Sequence, residues 1–302
     1  MDHFQEYLAT EVALDHVDGQ LTRREALRRL GMMGLSTMAA SSLLAACGND
    51  SDTETTAPAA QPSSTAPTTS STTTPLRPAT TPVPSQDITY PGPISTLLGA
   101  YAAATSPKGA VAIVHENRGL GDNIKAVASR LAGDGYSALA VDLLSEEGGT
   151  ATVPAAEVGA ALTNAGTSRI RDDLTATIDE LVKRNPGKKI GLIGFCFGGT
   201  VTWDFLTVGD ARLAAAAPFY GTVQPDVSFA SNKAAVLGVY GETDTRVNNT
   251  RDAAKAALAK TTAPHEIKTY PGVGHGFYSQ VESEQSRRAY TDVLDWFDRH
   301  LR

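Results

Sequence analysis

From position 110 onward, short apolar runs alternate with apolar stripes at helical spacing. The runs 110–114 (AVAIV), 136–141 (YSALAV), 189–193 (KIGLI), 213–219 (LAAAAPF), 235–240 (AVLGVY) and 265–270 (HEIKTY) have the length and aliphatic content of buried strands. Between them, Ile124, Val127, Ala128 and Leu131 mark one helix face, and Leu174, Ile178, Leu181 and Val182 a second. Tyr290, Val293, Leu294, Phe297 and Leu301 mark a third. A hairpin-like stretch from Ile88 to Ala103 comes first. Strands alternating with helices predict an α/β domain over 87–302, a mostly parallel doubly wound sheet flanked by helices. That length suits one core. Trp203 and Trp296 read as part of it, and no insertion is long enough for a large lid domain. The Gly- and Ala-rich stretch 145–166 reads as a mobile flap over the functional site.

The pattern fails upstream. Residues 51–84 are almost entirely Ser, Thr, Ala and Pro, a composition that cannot bury a core, so 47–86 reads as a disordered tether. Residues 1–46 carry Arg23-Arg24 ahead of a mildly apolar run, Leu30 to Ala46, too short and interrupted to span a bilayer. This arrangement resembles a twin-arginine export signal. It ends in Leu44-Ala45-Ala46-Cys47, which resembles a lipobox. The expectation is a leader over 1–46, a lipid on Cys47, and a monomeric enzyme anchored to the outer face of the cytoplasmic membrane.

Composition adds two constraints. The formal net charge of −7, without a basic stripe, argues against a nucleic-acid partner. The chain has two cysteines; with Cys47 lipidated, Cys196 has no disulfide partner.

Cys196 carries the candidate chemistry. It sits in Gly194-Phe195-Cys196-Phe197-Gly198-Gly199, between a strand-like run and the helix-like Thr200 to Leu206. Glycines two before and two after it suit the sharp strand-to-helix turn of a nucleophile elbow. Alone, a buried structural cysteine is the simpler reading. Its partners change the balance. Asp244 (in GETD) follows the fifth run and His275 (in PGVGHGF) the sixth, giving the chain order nucleophile, acid, base. His3, His16, His265 and His300 read as ordinary histidines. The run at 110–114 ends in His115-Glu116-Asn117-Arg118, which brings a carboxylate and backbone N–H groups to the same edge. The main-chain N–H groups of Phe197 and Asn117 are the expected oxyanion hole, and Arg118 and Tyr278 the candidate substrate contacts.

These residues, with HENRGL at 115–120, GYSALAVDLLSEEGGT at 135–150, GFCFGG at 194–199, GETD at 241–244 and GHGF at 274–277, resemble the dienelactone hydrolase (carboxymethylenebutenolidase) family over 88–302. The resemblance implies an α/β-hydrolase fold and a Cys196-His275-Asp244 triad cleaving enol-lactones or esters through a thioester. It also implies a role for Glu116 in forming the thiolate, and no cofactor or metal. The substrate is expected to be a small ester or lactone. The family's carboxylate-gripping arginines have no counterpart in Asp142-Leu143-Leu144-Ser145-Glu146-Glu147 or Phe277-Tyr278-Ser279-Gln280, which predicts a substrate other than dienelactone. A broad carboxylesterase or thioesterase of the cell envelope, and a non-catalytic binding module on a hydrolase scaffold, stay open at this point.

Overall fold

A computed structural model describes residues 2–17, 19–48, 75–279 and 281–302. Most of the expected tether, 49–74, lies outside the described residues.

The domain is built on one eight-stranded sheet. Its strands are β1 (Gln86–Pro91), β2 (Thr96–Ala102), β3 (Gly109–Val114), β4 (Tyr136–Asp142), β5 (Ile190–Phe195), β6 (Leu213–Phe219), β7 (Ala235–Gly241) and β8 (His265–Tyr270). They lie in the order β1-β2-β4-β3-β5-β6-β7-β8. Pairing from β4 to β8 is parallel, and β1 and β2 add an antiparallel edge. Every residue of β3, β4, β5 and β7 is buried, which is why these strands read as continuous apolar runs; the edge strand β8 is only half-buried. The expected mostly parallel α/β sheet is the observed one.

Helices α4 (Asp122–Gly133), α5 (Val158–Arg184), α6 (Phe197–Val208), α7 (Thr245–Leu258) and α8 (Glu284–His300) cover the sheet. The stretch expected as a flap is tied down. Asp142 accepts from Leu144 N at 3.1 Å and from Thr150 N and Oγ1 at 2.7 and 2.8 Å, and α5 then runs on with a break at Gly166 (φ 69°). Glu146 and Glu147 are held by Arg169 Nη1 at 3.3 and 2.8 Å.

Helices α1 (His3–Val17), α2 (Arg23–Met32) and α3 (Thr37–Gly48) form a folded cap. Thr22 caps the start of α2, its Oγ1 accepting from Glu25 N at 3.3 Å, while the Glu25 carboxylate pairs with Arg28 and Arg29. The cap merges with the main core. Phe4, Leu8 and Val12 of α1, Leu30 of α2 and Leu44 of α3 are buried in the same apolar cluster as the sheet, with α1 lying against α5 and α6. Each large aliphatic or aromatic side chain so buried contributes roughly 1.5–3 kcal/mol. Among the described residues, no helix is long and apolar enough to cross a membrane.

Candidate active site

The C-terminal ends of β3, β5, β7 and β8 converge on a cavity of about 820 Å³ lined by Cys196, Asp244, His275, Glu116, Arg118 and Arg246. Cys196 stands between β5 and α6 with φ 57° and ψ −117°, a left-handed conformation rare for a residue with a side chain. The turn is forced by close packing. A Cβ on Gly194 would strike the Gly198 carbonyl, and one on Gly198 would strike the carbonyls of Val114 and His115. The thiol is 5% exposed.

Asp244 opens α7, its Oδ1 accepting from Val247 N at 3.3 Å. Its Oδ2 lies 2.6 Å from His275 Nδ1. Burial disfavours the imidazolium, yet the negative charge and hydrogen bond of Cys196, with the hydrogen bond to Asp244, hold His275 protonated well above the usual imidazole range. The ring of Tyr220 packs edge-on against it, centroids 5.0 Å apart. Asp244 is thus paired with His275, and a ring nitrogen of His275 lies within 4.8 Å of Cys196 Sγ.

Phe197 is the first residue of α6, so its N–H is one of those a helix leaves without an intrahelical acceptor. Asn117 lies in the loop after β3. That loop is fixed by His115, fully buried, whose Nδ1 lies 2.6 Å from Glu116 O while Leu143 N donates to its Nε2 at 3.2 Å. Burial lowers its pKa, so the ring is neutral, donating through Nδ1 and accepting at Nε2. Glu116 lines the cavity, but its carboxylate accepts from Asn123 Nδ2 at 3.0 Å, and the hydrogen bond to the thiol comes from another residue.

That residue is Tyr7. Its hydroxyl is 3.1 Å from Cys196 Sγ, and Arg246 Nη2 donates to the same hydroxyl at 3.3 Å. Arg246 also pairs with Glu11, and Asn117 Nδ2 lies 3.4 Å from Glu11 Oε2. Burial pushes the Tyr7 hydroxyl well above its usual range, with the charges of Cys196 and Glu11 adding to it, so it remains a neutral donor. Glu11, Cys196 and His275 bring one ligand-type atom each within 4.8 Å of one another. The Arg246 guanidinium beside Glu11 neutralises the carboxylate and repels a metal cation.

One candidate contact is corrected. Tyr278 is buried, its ring stacked on Phe195 at 5.0 Å and set edge-on to Phe219 at 5.2 Å. It supports the elbow from beneath and does not line the cavity. Arg118 does line it.

Residues 95–301 match the Dienelactone hydrolase family. The chain belongs to the dienelactone hydrolase family. The "Putative carboxymethylenebutenolidase" of Salmonella typhimurium is 30% identical over 240 residues, covering 72% of this chain and 85% of that one. The crystal structure of the "Putative Dienelactone Hydrolase" from Klebsiella pneumoniae superposes with a TM-score of 0.62 at 25% identity, covering 72% of this chain and 98% of that one. The dienelactone hydrolase from Anabaena variabilis, at 18% identity and a TM-score of 0.59, covers 72% and 100% and shares the fold. This dienelactone hydrolase family member is an ester-hydrolysing enzyme of the α/β-hydrolase fold.

Proposed function

We propose that the enzyme cleaves a lactone or carboxylic ester through Cys196, His275 and Asp244. The pairing of Asp244 with His275 at 2.6 Å, with the His275 ring within 4.8 Å of the Cys196 sulfur on its elbow, carries this reading. The thiolate of Cys196 attacks the carbonyl carbon, and the oxyanion is received by the main-chain N–H groups of Phe197 and Asn117, each such donor being worth roughly 3–4 kcal/mol elsewhere. His275, oriented by Asp244, gives its proton to the leaving oxygen as the C–O bond breaks, leaving a thioester. It then takes a proton from water; the hydroxide adds to the thioester, and the acid departs as Sγ regains its electron pair. No step draws on a metal or organic cofactor. A substrate other than dienelactone is favoured by the absence of arginine from 142–147 and 277–280, while Arg246 is engaged by Glu11. Short aryl esters, lactones and thioesters are the test panel. Cys196→Ala should lower kcat/KM by about 10³-fold or more, as loss of a nucleophile does in triad enzymes; unchanged turnover would end the assignment.

Export is part of the same reading. Arg23 and Arg24 are exposed on the first turn of α2, within reach of a receptor, and Cys47 follows Leu44-Ala45-Ala46 near the end of α3. These features support removal of 1–46 and a lipid on Cys47 that anchors the enzyme outside the cytoplasmic membrane. Mass spectrometry of the mature chain should find Cys47 lipidated at the N-terminus; a chain beginning at Met1 overturns it.

A further inference from the structure

Helix α1 occupies the place a substrate needs. Attack on a carbonyl requires its carbon at about 3–3.5 Å from sulfur, and the Tyr7 hydroxyl already stands 3.1 Å from Sγ. The Glu11 carboxylate lies within 4.8 Å of both Sγ and a His275 ring nitrogen, beside the Asn117 loop where an ester oxygen would develop charge. A carboxylate held this close to the sulfur and largely out of water is unfavourable unless a cation offsets it. Arg246 supplies the cation: it pairs with Glu11, donates to Tyr7, and stacks over the Tyr7 ring at 4.6 Å.

The rest of α1 is docked as securely. Phe4 meets Phe197, the residue after the nucleophile, edge-to-face at 5.4 Å. His3 Nε2 lies 3.4 Å from Thr222 O, and its Nδ1 contacts the Gln224 amide. Phe4, Tyr7, Leu8, Ala9, Val12 and Ala13 are all buried. Glu11, Leu14 and Asp15 line the same cavity as Cys196 and His275, so α1 narrows the space in front of the thiol.

We propose that α1 is an intrachain inhibitor, a segment of the enzyme's own chain that occupies the acyl site through Tyr7 and Glu11 with Arg246 as its latch. Turnover then requires α1 to leave the thiol. The inference rests on the proposed role of Cys196 as nucleophile, and it joins the export reading at one point: hydrolysis of the Ala46–Cys47 peptide bond would carry the inhibitor away with the leader. The precursor would be held idle and the processed enzyme active.

The test uses the full chain. Tyr7→Phe, Glu11→Gln and the pair Tyr7→Ala/Glu11→Ala are compared with wild type in two assays: turnover of p-nitrophenyl acetate and the second-order rate of Cys196 alkylation by iodoacetamide. Both rates should rise, by about tenfold or more in the pair, the scale expected when charge-assisted hydrogen bonds are removed. Rates unchanged or lower in a folded pair would overturn the proposal, a fall marking α1 as part of the working site. A wild-type measurement covers variants that fail to fold. The carbamidomethyl group claims the room of Tyr7 and Glu11, so alkylated protein should lose amide-exchange protection over residues 3–17; retained protection would overturn the inference equally. If no ester is turned over by any form, the assigned chemistry falls, while alkylation and exchange still decide the occupancy.

Discussion

Two helices meet at the same sulfur, and they are held there by different means. Helix α6 approaches through its backbone: Gly194 and Gly198 let the main chain of the elbow pass against the carbonyls of neighbouring turns, with Cys196 fixed at φ 57°. Helix α1 approaches through side chains alone, by Tyr7, Glu11 and Phe4. A contact built from backbone cannot be undone without unfolding the turn. One built from a phenol, an ion pair and a ring edge can be released while the sheet stays intact. Permanence thus belongs to the elbow, and reversibility to the cap.

The sharpest break in the comparison is on the permanent side. His275→Ala should lower kcat/KM by about 10⁴-fold or more, the scale on which a triad base acts elsewhere, measured on the same ester panel. Asp244→Asn should cost somewhat less and should move the alkaline limb of kcat/KM to lower pH. The sign follows from His275: the Asp244 hydrogen bond helps raise its pKa, so losing it releases the proton earlier. The same raised pKa stabilises the fold fully below the ordinary imidazole value of 6.5, and that stabilisation is lost as pH climbs through the raised value. Urea melts across that range should therefore flatten in His275→Ala.

Gly198→Ala forces a methyl into the Val114 and His115 carbonyls and should destabilise by about 1–3 kcal/mol or prevent folding, read as a fall in Tm. At the small end, Arg77→Ala removes partly exposed ion pairs to Asp295 and Asp298 and should cost less than about 1 kcal/mol in denaturant melts with no change in kcat/KM. A larger loss of activity there than at the elbow would erase the distinction drawn between the two regions.

The sheet was readable because burial on both faces makes its strands uninterrupted apolar runs. The run at 213–219 coincides with β6, and those at 110–114 and 136–141 fall one residue short of β3 and β4. The Gly-x-Cys-x-Gly spacing likewise announced its turn, since only small residues fit that approach. The cap contacts were not readable, because Tyr7 lies 189 residues from Cys196 and Glu11 lies 235 from Arg246, and a lone tyrosine or acid on a helix has no local signature of such a partner. Arg246 was overlooked for a related reason: in Asp-Thr-Arg it reads as an ordinary polar first turn. One local clue was present. Thr22-Arg23-Arg24-Glu25, which resembles an export motif, also has a threonine placed to cap a helix, and that second meaning is the one that predicts α2.

Arg77 has a mechanical side. It enters the domain at α8, where Asp298 also meets Lys108 and Tyr136, residues at the N-terminal ends of β3 and β4. The catalytic loops lie at the opposite ends of those strands. Under the proposed anchoring, a pull on the chain ahead of residue 77 would fall on this end of the sheet, opposite the cavity.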